Sequence, residues 1–213
     1  MFLLIRGIYA DADVKCAKPI ASCISPDFWA DTSISTIVGI EIDEPVATLA
    51  VQRTWKWSRN HGFTQWTIAS KPFTEALKLA IVRSVSHTYT LAKKRGLSDP
   101  AKLRTGRGLF DFMLGAYTVK DILEVTGPGM WTDAVMDAMD ANARTREDAK
   151  GGEGLSWRVF TGLKSPQVVG NILVLPVNYF ASGQRHSGAG LFDVPEACVN
   201  HLARRTWKMS QLS

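Results

Sequence analysis

The sequence predicts an α+β fold, with a ferredoxin-like (RRM-like) antiparallel sheet as core and a large helical, basic insertion. Three observations carry that expectation. β-branched and aromatic runs dominate residues 2–69, and an amphipathic helical pattern follows from 70. Strand, helix, strand and strand patterns then fill 117–180. The elements are grouped instead of alternating regularly, which argues against a doubly wound parallel sheet. The 213 residues suit a single domain. Its core is expected over 1–69 and 117–180, the insertion over 70–116 and a tail over 181–213.

Residues 2–9 read as a buried strand with Arg6 in its middle, and 11–35, with Pro19 and Pro26, as loop with at most a short helix. Thr36–Ile42 and Val46–Trp57 are strand-like runs divided by the turn residues Asp43, Glu44 and Pro45. Asn60-His61-Gly62 signals a tight turn before Phe63–Ala69, so 46–69 is expected to be a hairpin carrying Trp55, Trp57 and Trp66. Ser70-Lys71-Pro72 opens a helix whose apolar face is Phe73, Leu77, Ala80, Ile81, Thr88, Leu91 and Ala92. A basic loop is expected over 97–115. Tyr117–Thr126 reads as a strand closed by Gly127-Pro128-Gly129, and Trp131–Arg144 as a helix with Val135, Ala138, Met139 and Asn142 inward. A charged glycine-rich loop (145–154) precedes strands at Leu155–Thr161 and Asn171–Val177.

Hydrophobic residues make up 46% and charged residues 21%, which excludes a disordered or fibrous chain. No apolar run approaches the roughly 20 residues of a membrane span. The apolar start, Met1 to Ile5, lacks a basic n-region and reads as strand, not signal peptide. Cys16, Cys23 and Cys198 are odd in number and form no C-x-x-C, which suggests a reduced, cytoplasmic setting. Net charge is +5, and it is unevenly placed: Lys78–Arg107 holds eight basic residues against the single acid Asp99. Such a segment on a near-neutral body suggests contact with a polyanion.

Phosphate-binding glycine motifs of the P-loop and Rossmann types are absent, and so is G-x-S-x-G. His61, His87, His186 and His201 are scattered, and Asp133, Asp137 and Asp140 read as a solvated helix face, so neither a metal nor another cofactor is expected. In a strand, Arg53, Trp55, Trp57 and Arg59 would share one face, a platform on which bases could stack beside His61. Arg83, His87, Thr90 and Lys94 recur at helical spacing and would form a second basic stripe. Lys93, Arg95, Arg104 and Arg107 lie close to it in sequence.

The stretch from Tyr117 through Trp131–Arg144, the loop Arg146–Gly154, the strand Leu155–Phe160 and the segment Val174–Tyr179 together resemble the RAMP superfamily of CRISPR-associated proteins. The size and the helical insertion look most like the subunit that binds the 5′ handle of a guide RNA, in a type IV or a type I effector complex. The resemblance implies a non-catalytic RNA-binding role. Guide RNA, other effector subunits and target DNA would be its partners, with no membrane involved. Arg146, Lys150, Gly151 and Gly152 would then meet phosphate. Two alternatives stand beside it: a metal-independent RNA-processing endonuclease using His61, His87 or His186 as acid and base, and a mobile-element interaction protein presenting its basic segment to an acidic partner.

Overall fold

The computed structural model describes residues 7–94, 119–144 and 154–202. Its centre is strand β3 (Thr36–Asp43), whose first residues are buried on both faces. β5 (Thr67–Ser70) pairs antiparallel along one edge of β3, and β7 (Ile172–Leu175) pairs parallel along the other. β1 (Gly7–Ala10) extends the sheet beyond β5, and β6 (Gln167–Val169) extends it beyond β7 through a two-residue turn at Gly170-Asn171. The order is therefore β1-β5-β3-β7-β6, with β4 (His61–Phe63) pairing the far end of β3. A separate two-stranded ribbon joins β2 (Val14–Cys16) to β8 (Val199–His201). This mixed sheet is α+β in class, and its order gives no support to a ferredoxin-like core.

Alternation along the central strands builds two apolar layers. Val38, Ile40, Ile172 and Val174 face Trp131, Val135 and Met139 of a long helix, with Phe63 and Phe160 filling the gaps. Ile37, Leu173 and Leu175 face the opposite way, toward Ile24, Ile34, Phe180, Cys198 and Val199. The first layer is roofed by α3 (Glu75–Lys94) and α5 (Pro128–Arg144), with α4 (Val119–Val125) leading into α5. The second is roofed by α1 (Pro26–Ala30), α6 (Val177–Phe180) and the β2–β8 ribbon. Gly39 lets α6 approach: a Cβ there would stand 2.8 Å from Phe180.

Several expectations are corrected. Residues 49–55 are not half of a hairpin but helix α2 (Leu49–Trp55). Thr48 Oγ1 caps Val51 N–H at 3.4 Å, and Lys56, at φ 59°, ends the helix in the left-handed region. The described part of Tyr117–Thr126 is α4, not a strand, with Asp121 in its first turn. Leu155–Thr161 holds a 3-10 turn at Trp157–Phe160, capped by Ser156. α3 is not an excursion, since its Ala76 is buried in the first apolar layer. Nor are the described residues of the expected tail all peripheral, because Cys198 and Val199 are core. Ile81, expected inward, is 48% exposed.

Candidate functional site

Where β1 leaves the sheet, the chain continues as Asp11-Ala12-Asp13. Trp66 C=O accepts from Asp11 N–H at 2.9 Å, and a turn closed by Val14 N–H to Asp11 C=O (3.0 Å) swings the chain into β2. The ribbon then sets Val14 opposite His201, with Leu202 N–H donating to Asp13 C=O. His201 Nε2 thereby comes to 3.5 Å from Asp13 Oδ1. Its ring stacks on Trp66, with centroids 4.5 Å apart and planes 19° off parallel. Burial lowers the His201 pKa, outweighing the pull of Asp13 and Asp11, so the imidazole is held neutral, the form that binds metals. Tyr9 O–H donates to Asp11 Oδ1; that bond, with burial and the Asp11 charge behind it, raises the phenol to about 12.

From His201 a cleft of about 470 Å³ runs across the end of the sheet. Glu41, His61 and Trp66 line it near the strands, Trp55, Trp57 and Arg59 form one wall, and residues 181–186 form the other. Glu41 occupies a bulge, because Ile40 pairs with Phe63 while Ile42 pairs with Gly62. A bulge re-aims the side chain it carries. Burial pushes the Glu41 carboxyl up to about 7, and the nearby Trp66 N–H only partly opposes this. Even so, Glu41 Oε2 and Trp66 Nε1 are both shielded without a well-formed hydrogen bond, as is His61 Nδ1.

The wall at 181–188 is stitched to β3. Gln184 Nε2 donates to Glu41 C=O at 2.6 Å, Asp43 N–H donates to Ser187 Oγ at 2.9 Å, and Ser187 N–H donates to Glu44 Oε1. These bonds hold Ser187 at φ 58° and place His186 edge-on to both indoles, at 5.1 Å from Trp55 and 4.6 Å from Trp57. Trp55 and Trp57 stack on each other at 5.8 Å. The result is a concave, aromatic surface with a few inward polar groups, the usual character of a small-ligand site.

The residues singled out from sequence are distributed differently from the expected basic face. Arg53, Lys93 and Lys94 are exposed, and His87 is half-buried on α3. Trp57, Arg59 and His61 do share the cleft, but Trp57 and Arg59 lie past the end of α2 and His61 opens β4, so they do not share one strand face. His61 stacks on Trp157 at 4.8 Å. Arg59 is held by Asp133 (2.5 Å) and Glu124 (2.6 Å), and Arg83 pairs with Asp137 and Asp133. Both guanidiniums are thus neutralised from within. Arg95, Arg104, Arg107, Arg146, Lys150, Gly151 and Gly152 lie outside the described residues. Asp11, Asp13, Glu41 and His201 escaped sequence reasoning. The available signal was two aspartates, two residues apart, directly after a strand.

No family model matches the chain, and no solved structure does. Curated relatives do. The chain is 30% identical over 204 residues to the initiation-specific alpha-1,6-mannosyltransferase of Schizosaccharomyces pombe, a match covering 95% of this chain and 43% of that protein. It is 29% identical over 209 residues to the protein of the same name from Candida albicans (95% and 50% covered). A match of 29% over 216 residues joins it to the putative glycosyltransferase HOC1 of Saccharomyces cerevisiae (98% and 46%). The chain spans about half the length of these relatives. The likenesses overturn the CRISPR reading, since relatives over nearly the whole chain are glycosyl-transferring enzymes by name, where the RAMP resemblance rested on loose loop order. The guide-RNA subunit, the RNA endonuclease and the mobile-element interaction protein all fall with it, as do guide RNA, effector subunits and target DNA as partners. What the chain is similar to is a set of glycosyl-transferring enzymes by name, two of them alpha-1,6-mannosyltransferases.

Proposed function

We propose that this chain carries sugar-transfer machinery: it binds a phosphate-activated mannosyl donor and passes the mannosyl group to a sugar hydroxyl. In that reaction the bond from the anomeric carbon to phosphate oxygen breaks and a bond to the acceptor oxygen forms. The acceptor proton departs with the phosphate. The observation that carries the proposal is the meeting of Asp11-Ala12-Asp13 with His201 beside an aromatic cleft. Anionic leaving groups need a counter-charge. Two carboxylates and a neutral imidazole suit Mg²⁺ or Mn²⁺. Among the described residues no three such side chains converge enough to hold an ion unaided, so a cation here would need substrate phosphate oxygens as further ligands. Bound there, the cation would supply charge neutralisation for the departing phosphate. His201, held neutral and stacked on Trp66, would orient that end of the donor, and the indoles would cover the apolar faces of a sugar ring.

The test is transfer of labelled mannose from a nucleoside diphosphate mannose to methyl α-mannoside, with Mn²⁺ and with EDTA. Transfer should require the cation, and Asp11→Asn with Asp13→Asn should lower it about a hundredfold or more. Equal transfer by the folded double variant, or by the wild type in EDTA, would refute the assignment.

A further inference from the structure

We propose that Glu41 binds a sugar ring directly, its carboxylate accepting from ring hydroxyls in the cleft while Trp66 Nε1 and His61 Nδ1 complete the polar contacts. The inference rests on the sugar-transfer reading and names the group that holds the sugar. Three shielded polar atoms that make no well-formed hydrogen bond (Glu41 Oε2, Trp66 Nε1 and His61 Nδ1) belong to residues lining one cleft. Native proteins rarely leave such groups unpaired, and a cluster of them marks where a ligand supplies the missing bonds. An acceptor beside a donor is what a hydroxyl satisfies, because it gives one hydrogen bond and receives another. A phosphate oxygen would be repelled by the carboxylate, so the cation end at Asp13 and His201 and the sugar position at Glu41 are chemically distinct. Trp66 joins them, since its ring stacks on His201 and its N–H faces Glu41. The bulge that sets Glu41 off from its strand neighbours aims it there.

Three probes separate the contributions: a nucleoside diphosphate with Mn²⁺, the nucleoside diphosphate mannose with Mn²⁺, and methyl α-mannoside in the presence of the nucleoside diphosphate and Mn²⁺. Each is titrated calorimetrically into wild type, Glu41→Gln and Trp66→Phe. The Gln variant keeps the shape and removes a buried charge, and Phe keeps the stack on His201. Nucleoside diphosphate affinity should be unchanged in Glu41→Gln. Glu41→Gln should bind mannose about tenfold more weakly, and Trp66→Phe about threefold. If the loss falls on the nucleotide sugar, Glu41 holds the donor ring, and if it falls on methyl α-mannoside, it holds the acceptor; either result supports the proposal. Wild-type affinity for both sugars in folded Glu41→Gln overturns it and leaves the sugar-transfer reading standing. A wild type that binds none of the probes overturns both.

Discussion

Glu41 makes folding depend on pH with a sign set by burial. Its folded carboxyl titrates near 7 against an ordinary 4.5, so the folded chain holds that proton more tightly than the unfolded chain. The cost to stability is absent below about pH 4.5, grows as pH rises, and is complete above about 7, at about 3 kcal/mol. His61, His186 and His201 act oppositely, because burial lowers their pKa and their cost grows as pH falls through 6.5. Comparing urea unfolding of wild type and Glu41→Gln isolates the carboxyl. The variant should be the more stable at about pH 8, with the gap closing toward about pH 5; a gap independent of pH would contradict the assignment. At this scale the sequence is a partial guide. Trp57, Arg59 and His61 stand out as unusual and do share the cleft. Asp11 and Asp13 do not stand out, because acids in a turn look alike until His201, nearly a whole chain away, comes to 3.5 Å.

Helix α2 shows what element-scale reasoning gains and loses. Thr48 Oγ1 satisfies Val51 N–H, and the helix then delivers Trp55 to one wall of the cleft with Trp57 just past its end. Thr48→Ala should cost about 1 kcal/mol in urea unfolding, with a change in tryptophan fluorescence as the indole pair loosens. An unchanged midpoint would show that tertiary packing alone holds the helix. Reading Val46–Trp57 as a strand follows from its β-branched and aromatic content, and the capping threonine that decides otherwise is one residue among twelve. α3 and α5 are legible because helical spacing persists over several turns, as with Ala134, Val135, Ala138 and Met139, all buried. The parallel partnership of β3 and β7 is not legible. Both strands are apolar on both faces, as central strands are, but nothing local in residues 36–39 names 172–175 as their neighbour.

Charge over the whole molecule looks different in space than along the chain. The basic excess counted over 78–107 ignores Asp133 and Asp137, which α5 brings against Arg83. Tertiary structure, not composition, decides which guanidiniums remain to meet a polyanion. The same holds for the ribbon of β2 and β8, which pairs residues 14–16 with 199–201 and rests on the second apolar layer through Cys198 and Val199. Three residues per strand give few bonds to break, so hydrogen exchange at amides 15 and 200 should be faster than at 37–39 and 172–175. Equal protection would mean that the ribbon opens only with the whole fold. Formation of this ribbon closes the longest loop among the described residues, and the entropy of that closure is recovered only after the intervening sheet has shortened the path. Asp13 and His201 therefore meet late in folding. Helices and sheet can then be in place while Asp13 and His201 still stand apart.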